Sequence, residues 1–159
     1  MRLILLFLSL LSINTYAASQ ELAIVPKPKS IIPGKGSYTI TSQTPIVIGS
    51  EEDRNTADFF NQYLRNYYGF ELAVTKGGAN GIFITTGSFK TDIQGYQLIS
   101  DANSVRIIGN TRAGTFYGMQ TLIQLLPVTK STTLVIPAVQ INDEPASRRM
   151  PSFYASRIY

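Results

Sequence analysis

Two places along this chain gather carboxylates closely enough to suggest acid–base chemistry: Glu51-Glu52-Asp53 and Asp143-Glu144. A pair that cleaves a glycosidic bond must face that bond from two sides. The triplet stands just before a run with helical period, where negative charge answers the positive end of a helix dipole, so it reads as a helix start. Asp143 and Glu144 follow the strand-like run "AVQIN" and precede Pro145. Neighbours in an extended segment point to opposite sides, so these two would not flank one bond. A turn or a contact between domains suits them better.

Other chemistries are excluded by composition. The chain has no histidine and no cysteine, which closes Ser-His-Asp triads, Cys-His pairs, the common zinc sites and any disulfide framework. No metal or cofactor site is assigned. "KGGANG", residues 76–81, is glycine-rich but precedes a strand instead of opening a helix, so the amide cradle of a phosphate loop is missing. Tyr63, Tyr67 and Tyr68 crowd one helical run; at that spacing they are read as core or interface packing ahead of a sugar platform.

The formal charge of +4 is unevenly placed. From Ala18 to Pro145 ten Lys/Arg balance ten Asp/Glu, and the excess lies in Arg2, Arg148, Arg149 and Arg157. No basic face runs through the folded part, which argues against nucleic acid. Arg2 and the apolar run Leu3–Leu11, followed by Thr15-Tyr16-Ala17, have the layout of a secretory signal over residues 1–17. The run falls short of the roughly 20 residues needed to span a bilayer. Export to the periplasm or beyond is expected, with no stable membrane span after cleavage. The rest is about the size of one domain.

The elements that would position these groups follow from period and punctuation. "LAIVPKPKSIIPGKGSYTI" carries three prolines and suits an extended segment that enters a sheet at Tyr38–Ile40. "PIVIG" (45–49) reads as a strand. Ala57, Phe60, Leu64 and Tyr67 then recur at helical spacing across Glu52–Tyr68, and Gly69 stands where a C-terminal cap belongs. "ELAVT" (71–75) and "GIFITT" (81–86) are strands, and Gly95–Gly109 is a hairpin around "DANS". A second helix runs from Arg112 to Pro127, capped by Asn110 or Thr111. "TLVIP" and "AVQIN" are two closing strands. Two helices are too few to cover both faces of a sheet, so an α+β two-layer sandwich is predicted, with six to seven strands in a mixed sheet and both helices on one face.

The second helix, "RAGTFYGMQTLIQLLP", contains Gly114 and Gly118 one turn apart, each costing about 1 kcal/mol relative to alanine. They would let the backbone approach a neighbouring layer closely. Phe116, Tyr117, Met119, Leu122, Ile123, Leu125 and Leu126 spread around the rest of the circumference, which implies burial on more than one side.

Read together, "IVPKPKSIIPGKGSYTI", "GYQLISDANSVRIIGNTRAGTFYGMQTLIQLLP" and "IPAVQINDEP" resemble the N-terminal, non-catalytic domain of glycoside hydrolase family 20 β-N-acetylhexosaminidases, over Ile24–Pro145. The resemblance implies an α+β domain, here residues 18–145, placed before a (β/α)8 barrel. It assigns Gly114, Phe116, Tyr117, Gly118, Met119 and Asp143 to the interface with that barrel. It also implies retaining hydrolysis of terminal N-acetylglucosamine or N-acetylgalactosamine, with the substrate's own acetamido oxygen as nucleophile. The Asp-Glu pair that orients the acetamido group and protonates the leaving oxygen would belong to the barrel, so no residue of this chain is assigned as catalytic.

After Pro145 the text departs from the family pattern. In "ASRRMPSFYASRIY" no glycine follows Arg148 and no aspartate precedes Ser156-Arg157, as the first barrel strand would require. Arg148 is the candidate for the sugar-binding arginine. Residues 146–159 are read as a divergent start of the barrel, and the reading expects a truncated or frame-shifted open reading frame whose product is inactive alone. The alternative is a secreted accessory domain that binds glycans without cleaving them.

Overall fold

Alternating apolar residues build the centre of the sheet: Ile82 and Ile84, Leu98, and Val105 and Ile107 are fully buried, while Phe83 between the first two is half-buried and Arg106 between the last two is exposed. The computed structural model describes residues 22–87 and 94–144. Its elements are β1 (Ser30–Thr41), β2 (Ile46–Ile48), a 3-10 turn (Glu51–Asp53), α1 (Arg54–Tyr68), β3 (Val74–Thr75), β4 (Gly81–Thr86), β5 (Tyr96–Ser100), β6 (Ser104–Gly109), α2 (Arg112–Leu125) and β7 (Thr133–Asp143). One seven-stranded mixed sheet runs in the order β1-β7-β5-β6-β4-β2-β3. Its β1-β7-β5-β6 part is antiparallel and its β6-β4-β2-β3 part parallel. The helices contribute Ala57, Phe60, Leu64, Met119 and Leu122 to one core cluster with the sheet, giving the predicted two-layer α+β sandwich.

Both helix ends follow local chemistry. Gly69 closes α1 at φ +81, a left-handed conformation that suits glycine, and its N–H reaches the Leu64 and Arg65 carbonyls. Thr111 caps α2, its hydroxyl accepting from the Gly114 N–H at 3.4 Å. In the turn of the β5–β6 hairpin, Asp101 Oδ1 accepts the Asn103 and Ser104 N–H groups.

Several boundaries differ from the sequence reading. The two closing strands are one, β7, with Pro137 inside it. Pro137 is tolerated because β5 pairs with β7 only from Val139 to Asp143, so its missing N–H interrupts no second ladder. The first strand begins at Ser30 rather than Tyr38, and it absorbs Pro33 at a register shift before Ser37. The strand predicted over 71–75 shrinks to Val74–Thr75, since both backbone groups of Leu72 bond the buried Asn61 amide at 2.8 Å. The first α-helix begins at Arg54, not Glu52, with Glu51–Asp53 forming the preceding 3-10 turn. Tyr67 is 57% exposed and stacks on Tyr63 at 4.5 Å instead of entering the core.

Candidate docking face

The carboxylate clusters are structural. Asp53 is buried and accepts the Ser50 N–H at 3.1 Å and the Thr86 hydroxyl at 2.6 Å, tying the entry of α1 to β4. Glu51 pairs with Arg54 and with Lys76, and these cations hold its carboxyl below the usual range. At the other end, Asp143 Oδ1 accepts the Lys29 N–H at 3.1 Å, and Glu144 pairs with the Lys29 ammonium. At both ends these carboxylates are thus engaged with backbone, hydroxyl or cationic partners of this domain. Among the described residues no three metal-ligating side chains come together, and no helix is long and apolar enough to cross a membrane.

Three of the residues assigned to an inter-domain face are used within the domain. A Cβ at Gly114 would stand 2.5 Å from the Gly95 carbonyl oxygen, and one at Gly118 would stand 2.6 Å from Ile107 Cγ2. Both glycines therefore seat α2 on the hairpin of its own sheet, and Met119 is fully buried there. This corrects their assignment: the small residues face inward because the close approach is to β5 and β6. Thr115 turns inward as well, bonding the Thr111 and Arg112 carbonyls and approaching the Thr86 hydroxyl at 3.2 Å.

What α2 leaves outward is different in kind. Phe116 is half-buried against Phe59 of α1, ring centres 4.8 Å apart. Along α1, Phe59, Tyr63 and Tyr67 follow one another at four-residue spacing, so an aromatic seam runs along this helix and meets α2 at the Phe59–Phe116 pair. Tyr68 extends it, its hydroxyl donating to the Pro127 carbonyl at 2.6 Å. Burial pushes the Tyr63 and Tyr68 hydroxyls above the usual tyrosine range. Phe59 was missing from the sequence assignment, although its spacing from Tyr63 was a legible signal.

Beside the seam lies a groove of about 250 Å³ between α2 and the segment Ile24–Pro26. Gln124 holds that segment with two bonds to Val25, accepting its N–H at 2.8 Å and donating to its carbonyl at 3.2 Å. Tyr117 and Gln120 line the rim and Asp143 closes one end. At its base the Tyr96 hydroxyl lies 2.5 Å from Thr121 Oγ1, and burial pushes its pKa up to about 12, with the Asp143 charge adding to the shift. Of the assigned residues, Tyr117 and Asp143 thus line this groove together with Gln120 and Gln124, which the sequence reading did not single out, while Phe116 packs against Phe59. Arg148 and the predicted signal lie outside the described residues.

The helix layer therefore offers an apolar and amide-lined surface, without a reacting pair. Residues 21–144 match the family model for glycosyl hydrolase family 20, domain 2. The β-hexosaminidase of Porphyromonas gingivalis (strain ATCC BAA-308 / W83) is 33% identical over 133 residues, which cover 77% of this chain and 17% of that protein. The N-acetyl-β-hexosaminidase of Streptomyces plicatus is similar in structure at a TM-score of 0.68 and 34% identity, over 76% of this chain and 26% of that one. A family 20 exo-β-N-acetylglucosaminidase from Vibrio harveyi shares the fold at a TM-score of 0.68 and 22% identity, over 76% of this chain and 19% of that one. The chain spans about a quarter or less of the length of these relatives, and the part it spans belongs to glycosyl hydrolase family 20 as that family's domain 2.

Proposed function

We propose that this chain is the non-catalytic module of an exported β-N-acetylhexosaminidase, and that its helix layer docks onto a (β/α)8 catalytic barrel. In this reading the whole enzyme removes terminal N-acetylglucosamine or N-acetylgalactosamine with retention. The substrate's acetamido oxygen is the nucleophile and an Asp-Glu pair of the barrel is the machinery. Residues 18–145 form the module and residues 1–17 direct export. The module supplies a rigid surface, built from Phe59, Phe116, Tyr117 and the groove beside them, that fixes the barrel's position.

One observation carries the reading. Two proteins named as hexosaminidases, each more than 30% identical to this chain, match about three quarters of it while extending far beyond the matched part. A helix layer with outward aromatic rings is the physical complement: exposed aromatic surface beside a rigid sheet is what a packed neighbour covers.

The test joins the chain to a family 20 barrel and assays a chromogenic N-acetylglucosaminide. The fusion should turn over and the isolated chain should not. Charged substitution at Phe116 should lower the fusion's thermal stability and activity together. Saturable binding of an aminosugar oligomer by the isolated chain, unaffected by Phe116 substitution, would favour a glycan-binding accessory domain instead.

A further inference from the structure

We propose that Asn80 is a built-in site of spontaneous deamidation and backbone isomerisation. Of the asparagines in the sequence, Asn80 alone is followed by glycine. It is exposed, at the end of the loop 76–80 that enters β4, and its amide has no partner among the described residues. At Gly77 the loop borders open space, since a Cβ there would meet nothing within 4 Å, whereas one at Gly78 would touch Val47 Cγ2 at 3.4 Å.

The chemistry needs the Gly81 amide nitrogen to reach Asn80 Cγ, the carbon of the carboxamide. A new bond forms between that nitrogen and Cγ, and the bond from Cγ to Nδ2 breaks. Ammonia leaves, taking up the proton lost by the Gly81 nitrogen. Water then opens the resulting succinimide at either carbonyl, giving aspartate or isoaspartate. A substituent on the attacking residue would hinder that approach, and glycine has none.

The fold forbids the simple protection. Gly81 has φ +136, a conformation that other residues rarely adopt, and a Cβ there would stand 2.5 Å from the Pro45 carbonyl oxygen. The glycine that seats β4 beside β2 is the same one that exposes Asn80 to attack. Other asparagines are held or flanked differently. The Asn61 amide bonds both backbone groups of Leu72, and Asn142 accepts from Gln97 at 2.8 Å. Asn103, in the β5–β6 turn, is exposed but precedes serine, so it serves as the internal control.

Isoaspartate would add a methylene to the backbone immediately before Gly81. Just beyond it the Ile82 N–H donates to the Pro45 carbonyl at 2.9 Å and Ile82 stands opposite Ile46. The modification therefore falls on the register of the β2–β4 pair.

The experiment incubates the folded full-length protein at mildly alkaline pH. Peptide mapping then follows mass gain and isoaspartate at Asn80 and Asn103. The expected result is conversion several-fold faster at Asn80, abolished there by Asn80→Gln, with the isoaspartate fraction melting below the unmodified protein and below Asn80→Asp. Conversion no faster at Asn80 than at Asn103, or conversion at Asn80 only after unfolding, would overturn the proposal.

Discussion

Gly118 lies against Ile107 so closely that a methyl group would stand 2.6 Å from Ile107 Cγ2 and 3.1 Å from Tyr96 Cδ2. One turn earlier Gly114 meets backbone: the Gly95 carbonyl oxygen at 2.5 Å, the Gln94 carbonyl oxygen at 3.2 Å and Gly109 Cα at 3.3 Å. Side chains can rotate away from an added Cβ, whereas backbone at the base of a hairpin cannot. Gly118→Ala should cost about 1–2 kcal/mol, as overpacking is partly offset by the gain in helix propensity. Gly114→Ala should cost about 3 kcal/mol or more, at the upper end of overpacking effects. Urea midpoints at unchanged slope test the order, and equal losses would contradict the geometry.

Asn61 offers a sharper loss. Its amide satisfies the N–H and the carbonyl of Leu72, all of it buried. Asn61→Ala strands two backbone groups and should destabilise the protein by about 2–4 kcal/mol. Asn61→Asp keeps the acceptor and loses the donor, so it should not restore stability. Chemical denaturation of the two variants beside the parent checks both statements.

The outward rings should behave in the opposite way. Tyr117 is 39% exposed, and Tyr117→Ala in the isolated domain should change stability by no more than about 0.5 kcal/mol, as surface substitutions do. Joined to a barrel, the same substitution should lower the melting temperature, because it removes contact area at the proposed interface. A matching loss in the isolated domain would place Tyr117 among the structural residues of its own fold.

The parts of this structure that were legible in the sequence are those set by local rules. Gly69 as a cap, Thr111 as an N-cap and the hairpin across Asp101 follow from short-range chemistry. The aims of Gly114, Gly118 and Met119 were not legible, because helical spacing says which residues share a face and not which layer that face meets. The fate of Leu72 depended on Asn61, eleven residues away and across a turn. The unity of β7 depended on where β5 stops. The groove was invisible for the same reason: Gln124 and Val25 are 99 residues apart, and polar residues on an outward helix face read as ordinary solvent-exposed positions.

Tyr96 ties stability to alkaline pH. Burial raises its pKa to about 12 in the folded protein, against 10.0 for a free tyrosine. Below pH 10 both states hold the proton and stability is at its full value. Between pH 10 and about 12 the unfolded state loses its proton while the folded one retains it, so stability falls as pH rises. Two units correspond to a loss of about 2–3 kcal/mol across that window. Tyr96→Phe has no proton to lose and should flatten this part of the profile. It should also remove the last step of the tyrosinate absorbance titration. Because the Tyr96 hydroxyl meets Thr121 at the base of the groove, the substitution must be compared by its pH slope and not by its stability at neutral pH, where a lost hydrogen bond alone would lower the value. A slope in Tyr96→Phe equal to that of the parent would assign the alkaline transition to another group.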